Sequence, residues 1–234
     1  MELVVLSKIK HIFTMNFHGL GEPHSNVGRD EARFWSTEDD FKKFLDAIVE
    51  FRSRLERKTE IRITFDDGNK SDLLIGVPAL VERGLDATFF VCSDRLRSPV
   101  YLSTFDLGEM EAIGMRIGCH GATHVPLRRL DNQRLKAETA DARTRLSEAL
   151  GHRISAFAIP FGSYDRRVMS ALKSFDEVHT SDSQASPPGA RIVTRHSYMN
   201  EWSVEAFQEN VANLPTGPKA WLGRTKLLIK RLRP

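Results

Sequence analysis

Cysteine is scarce: Cys92 and Cys119 are the only two in 234 residues, and they form no Cys-x-x-Cys pair. That excludes a disulfide scaffold and a thiolate zinc site, and fits two reduced thiols in a reducing compartment. Long apolar runs are missing as well, since no stretch approaches the roughly 18 residues of a membrane span. The N-terminal MELVVLSKIKHIFTMNF breaks its apolar residues with Lys8, Lys10 and His11. It has neither an apolar signal core nor a small-residue cleavage site, so the expected location is cytoplasmic, without a signal peptide. Charge of one sign is also lacking. The 34 Lys and Arg against 31 Asp and Glu leave +3, too little for an electrostatic footprint on nucleic acid.

What is present is the balance of an ordinary folded chain, 41% hydrophobic and 28% charged. HIFTMNF (11–17) reads as a strand, followed by a polar loop. Thr37 and Asp39 precede Phe41, Phe44, Leu45, Ile48 and Phe51 at helical spacing, which predicts a capped helix over 37–56. Further strands are expected at 61–65, 87–92, 115–119, 154–159, 176–180 and 191–199, with helices at 73–83, 103–113, 131–150, 165–174 and 203–213 between and after them. Alternation of this kind predicts a parallel sheet with right-handed crossovers, and six or seven units are enough to close a barrel. The expected organisation is one α/β domain over 1–234, its core at 60–200, with a basic C-terminal segment at 219–234.

The polar motifs fall at strand ends, where α/β folds build their sites. Asp66 and Asp67 end the 61–65 strand, so their side chains diverge and one can bind metal while the other stays free as a base. An Asx turn capping the next helix is the alternative. His120 and His124 flank Gly121-Ala122-Thr123, and one helical turn there would aim both rings at a shared metal. One Asp and two His make the three-ligand set of a catalytic zinc site with an open position. Pro160-Phe161-Gly162 ends a further strand in a turn that can offer a backbone N–H to an oxyanion. Nothing marks Cys119 as a nucleophile. His18, at the end of the first strand, reads as a turn or surface residue that could also reach the mouth.

These residues resemble the polysaccharide deacetylases of the NodB-homology type, carbohydrate esterase family 4. ITFDDG, ATFFV and MRIGCHGATHVPLRRL stand in that family's order and spacing over roughly 60–200. The resemblance implies a distorted (β/α)7-type barrel and metal-dependent hydrolysis of acetyl groups from an acetylated sugar, most often an N-acetylhexosamine. It implies Asp66 as general base, and Asp67, His120 and His124 as ligands of one divalent ion, zinc first, with cobalt or nickel as alternatives. It places the general acid on a His near the last strand, His196 by order along the chain, with His179 as runner-up. Two departures stand out. Ala158 occupies the place where the family has an Arg that orients the base, and no Asp-Trp motif is found near 175–182.

Three function classes therefore compete: a carbohydrate deacetylase, an inactive glycan-binding protein on the same scaffold, and a metal hydrolase of another amide or ester. The KAWLGRTKLLIKRLRP tail interleaves apolar and cationic residues. It reads either as a helix packed on the barrel or as a peripheral contact with an anionic membrane.

Overall fold

Strand alternation sorts the barrel's side chains into two sets. In the computed structural model, which describes residues 9–53, 58–212, 214, 230 and 232, β1 (His11–Phe17) turns Phe13, Met15 and Phe17 outward into the hydrophobic core and Asn16 inward. Two short strands, β2 (Gly19–Leu20) and β3 (Trp35–Ser36), pair with each other, with a short helix α1 (Arg29–Ala32) between them. Helix α2 (Glu38–Ser53) begins where the Thr37 hydroxyl accepts the Asp40 N–H at 3.1 Å. Its Phe41 ring meets Phe17 and Phe65 edge-on at 5.0 and 5.7 Å, closing the outer core.

β4 (Thr59–Phe65) pairs with β1 in parallel over seven residues, His11 opposite Thr59 through Phe17 opposite Phe65. β5 (Thr88–Val91), β6 (Arg116–Cys119), β7 (Ala156–Ala158), β8 (Glu177–Thr180) and β9 (Ile192–Ser197) follow, and β9 returns to β1 to close a barrel of parallel strands. The expected α/β barrel is the observed one. Helices lie between the strands at 77–82, 104–112, 132–136, 142–150 and 166–171, and one more follows β9 at 204–212. The predicted 73–83 and 131–150 helices each contain a π-helical stretch, at Asp72–Gly76 and Ala137–Asp141. Such stretches recur at functional sites, and both of these flank the strand ends described below. Among the described residues, no helix is long and apolar enough to cross a membrane.

The lumen is narrow. A Cβ added at Gly118 would lie 2.4–2.5 Å from the Phe90 ring and 3.3 Å from the Ala156 carbonyl oxygen. Gly118→Ala is therefore expected to destabilise the fold by about 1–3 kcal/mol through overpacking, read as a lower midpoint in urea. An unchanged midpoint would show that Phe90 can move aside.

Candidate metal centre and its buried base

The ends of β4 and β6 bring four expected residues together. Asp67 Oδ1 lies 3.1 Å from His124 Nε2 and 3.7 Å from His120 Nε2. One ligand atom from each of Asp67, His120 and His124 falls within 4.8 Å of the others, the only such group among the described residues. The donor chemistry suits a late first-row cation, and two details of the structure fit it. Asp67 Oδ1 is buried without a hydrogen bond and faces both imidazole nitrogens, with Arg95 Nη1 3.3 Å away, so its lone pairs are open to a cation. His120 Nδ1 is 2.9 Å from the Ala158 carbonyl oxygen, which can only accept, so Nδ1 donates there and Nε2 is the ring nitrogen turned toward Asp67.

The two histidines do not converge through a helical turn. Gly121 (φ 86°) and His124 (φ 60°) put the segment in a left-handed loop instead. Glu138, from the π-helical stretch, holds that loop: its Oε2 accepts the Ala122 and Thr123 N–H groups at 2.7 and 3.0 Å, and its Oε1 accepts the Thr123 hydroxyl. Among the described residues, those of positive φ other than glycine are Asp67, His124, Phe161 and Ser183. All of them line one cavity of about 390 Å3. Backbone strain is concentrated where side chains must be aimed, as at ligand and catalytic sites.

Asp66 stays outside the ligand set and is almost completely buried. Arg195, fully buried on β9, donates to its two oxygens at 2.6 and 2.8 Å, and Asn16 Nδ2 donates to Oδ2 at 3.1 Å. Arg195 also donates to Asn16 Oδ1 at 2.8 Å, and Thr64 Oγ1 donates to the same oxygen at 2.7 Å. Burial by itself would raise the Asp66 pKa, but the Arg195 charge and its hydrogen bonds, with His120 nearby, outweigh it and hold the carboxyl well below the usual range. Asp66 is therefore an ionised base in a dry setting. The arginine expected at position 158, on β7, has its place beside Asp66 taken by Arg195, two strands later on β9, a residue not singled out from the sequence. Its signal was present: β-strand parity in RIVTRHSYM puts Val193, Arg195 and Ser197 on one face, and a cation in mid-strand needs a partner.

The same parity removes His196 from the site. It points outward, stacked on Phe13 at 4.2 Å and edge-on to Trp202 at 6.5 Å, and it does not line the cavity. His196 as general acid is therefore corrected. Burial lowers its pKa to about 4, as expected for a neutral ring among apolar neighbours. His179 is likewise outside the cavity lining, within the barrel, 3.1 Å from Glu177. The imidazole that reaches the cavity besides His120 and His124 is His18, its Nε2 4.0 Å from Asp66 Oδ2 and its ring 4.9 Å from that of Phe34. Pro160 is buried behind the turn, whereas Phe161 lines the cavity with its ring 4.4 Å from His124. Cys92 and Cys119 are buried free thiols, and burial pushes Cys119 up to about 12, which leaves no thiolate nucleophile. Of the basic C-terminal segment only Lys230 and Leu232 lie among the described residues; Lys230 pairs with Asp182 at 2.7 Å.

The family model for polysaccharide deacetylases matches residues 54–177, just over half of the chain. The chain belongs to the polysaccharide deacetylase family. YxkH of Bacillus subtilis (strain 168) is 26% identical over 113 residues, 48% of this chain and 40% of YxkH, so the match spans well under half of that relative. Among solved structures, the Streptococcus pyogenes deacetylase PplD in complex with acetate superposes with a TM-score of 0.74 at 18% identity, covering 86% of this chain and 98% of PplD. IcaB from Ammonifex degensii gives 0.65 at 21% identity, over 93% and 96% of the two chains. At these identities the likeness establishes a shared fold, the family's distorted barrel.

Proposed function

We propose that this polysaccharide deacetylase family member removes acetyl groups from an acetylated carbohydrate, an N-acetylhexosamine-containing glycan as the leading class, and releases acetate. One observation carries the reading: an ionised, buried Asp66, locked by Arg195, lies beside a carboxylate–imidazole–imidazole set but is not part of it. Asp67, His120 and His124 would hold one divalent ion, with zinc, cobalt or nickel matching the donors. Bound there, such an ion would supply Lewis-acid chemistry toward the acetyl carbonyl and the attacking water.

The chain's own residues account for the rest. Asp66 takes a proton from the attacking water, and Arg195 keeps the carboxylate oriented and ionised. The Phe161 N–H is the proposed donor to the oxyanion. His18, next to Asp66, passes a proton to the departing nitrogen, taking the role expected of His196. Binding without catalysis was favoured by Ala158 and by the missing Asp-Trp motif, and Arg195 beside Asp66 answers the first of these. Acetate bound in the PplD structure is consistent with the same product here.

The test is acetate release from N-acetylglucosamine oligomers by protein stripped of metal and resupplied with zinc, cobalt or nickel. Release is expected only with metal. His18→Gln is expected to slow amide hydrolysis by about 10²-fold or more, as for loss of a general acid, yet to spare 4-nitrophenyl acetate, whose leaving group needs no proton. Glycan binding with no release under any metal would establish the inactive reading instead. Equal slowing of both substrates would remove His18 from the acid role.

A further inference from the structure

One cation at the cavity is not explained by hydrolysis of a neutral acetylated sugar. Arg95 ends the short helical turn Ser93–Arg95 after β5 and lines the same cavity as His120 and His124. Its Nη1 lies 3.3 Å from Asp67 Oδ1, and its guanidinium carbon sits 4.7 Å from the centre of the Tyr101 ring, within cation–π range. Its side chain is 21% exposed, so it is mostly withdrawn from water without being sealed in.

Among the described residues, Asp67 is the only carboxylate within 4 Å of Arg95. That carboxylate is the oxygen donor of the metal set, and Asp66, beside it, already has Arg195. Glu31, at the mouth, faces His124 Nδ1 at 4.0 Å and is not ion-paired with Arg95. Once Asp67 gives its charge to a divalent ion, the guanidinium is left beside a second cation with no ion-paired carboxylate among the described residues, only the longer-range field of Glu31. A planar fork held against an aromatic ring, in a part-dry cavity, is the arrangement that recognises carboxylate or phosphate through paired N–H donors.

Resting on the deacetylase reading, we infer that Arg95 selects an acetylated sugar carrying a carboxylate or phosphate close to the acetyl group. The anion meets the N–H groups of the fork that do not face Asp67 and offsets the charge of the guanidinium beside the metal set. A uronic acid residue and a sugar phosphate present the same chemistry and differ in geometry and charge.

Two sets of measurements on parent, Arg95→Gln and Arg95→Lys test this. The first is calorimetric binding of glucuronate, glucose 1-phosphate and neutral glucose to zinc-loaded protein. The parent is expected to bind one or both anions more tightly than glucose. Arg95→Gln should lose about 10- to 100-fold of that affinity, the worth of hydrogen bonds to a charged group, and Arg95→Lys should recover only part, lacking the fork. The stronger anion identifies the source as carboxylate or phosphate. The second is acetate release from acetylated oligogalacturonate and from N-acetylglucosamine oligomers, where the ratio of kcat/KM values, anionic over neutral, should fall about 10-fold in Arg95→Gln, mainly through KM. An unchanged ratio, or a parent that binds the anions no better than glucose, would overturn the inference. If no acetylated sugar is hydrolysed, the deacetylase reading fails while the binding measurements still decide the role of Arg95.

Discussion

Arg195→Met is expected to lower stability by about 3–5 kcal/mol, the usual cost of breaking a buried ion pair by removing one partner. Arg195 has no exposure to solvent and makes paired contacts at 2.6 and 2.8 Å with a carboxylate that is itself almost completely buried. Methionine fills much of the volume but leaves Asp66 charged, dry and held only by Asn16. The sign of the pH effect follows from the lowered pKa of Asp66. The pair's stabilisation is present above the unfolded carboxyl value near 4 and is lost as pH falls through the lower folded value. In Arg195→Met the Asp66 pKa rises, so the acid limb of the pH–rate profile moves to higher pH and the rate at neutral pH drops. The double variant Arg195→Met/Asp66→Asn should regain part of the stability but none of the activity, because neither buried charge is then left unpaired. Urea unfolding and the pH profile of acetate release check both statements. A single variant as stable as the parent with an unmoved acid limb would show that Asp66 does not depend on Arg195.

The second large effect separates two adjacent aspartates. Asp66→Asn is expected to lower kcat by about 10²–10⁴-fold, the range for loss of a general base, while bound metal per chain stays near that of the parent. His124→Ala should lose the metal as well, since it removes one of the three donors and leaves Asp67 Oδ1 facing His120 alone at 3.7 Å. Metal content after dialysis and acetate release, measured on the same preparations, give the comparison. Metal lost equally from both variants would mean that Asp66 is a ligand and that the division of labour between the two carboxylates is wrong. Because Asp66→Asn leaves Arg195 buried without its counter-charge, its stability is measured alongside, at a temperature where the variant is folded.

The strands were legible because their composition alternates on a period of two, and β1 has the bounds expected for HIFTMNF. The helix after Thr37 was legible from its cap and its aromatic stripe. The metal set was legible for a different reason: its residues lie in two short stretches at the ends of strands, and the chemistry of one carboxylate with two imidazoles is nearly self-declaring. The polar loop at 18–36 was not read as structure, yet it contains β2, α1 and β3, and it supplies His18, Glu31, Phe34 and Trp35 to the cavity. Short pieces with few residues carry no periodicity to detect.

The choice of His196 failed on parity. It is the imidazole of RIVTRHSYM and lies one residue before the end of the last strand, but the inward face belongs to its neighbour Arg195, and only the closure of β9 onto β1 shows which face is inward. Glu138 was hidden in a different way. It lies among Leu135, Ala142 and Leu146 on the buried side of a helix, an odd place for a carboxylate, but which backbone N–H groups it would reach depends on how that helix packs against the loop of His124.

Local sequence by itself determined the alternating α/β plan, the ends of most elements, and the identity of Asp66, Asp67, His120 and His124, because backbone periodicity and ligand chemistry are properties of adjacent residues. Tertiary structure alone decided which arginine locks Asp66 as an ionised carboxylate, which histidine besides the metal pair reaches the cavity, and which second arginine lines it. Those outcomes depend on burial and on contacts between residues as far apart as Asp66 and Arg195, where the cost of an unpaired charge, and not its place in the chain, selects the partner.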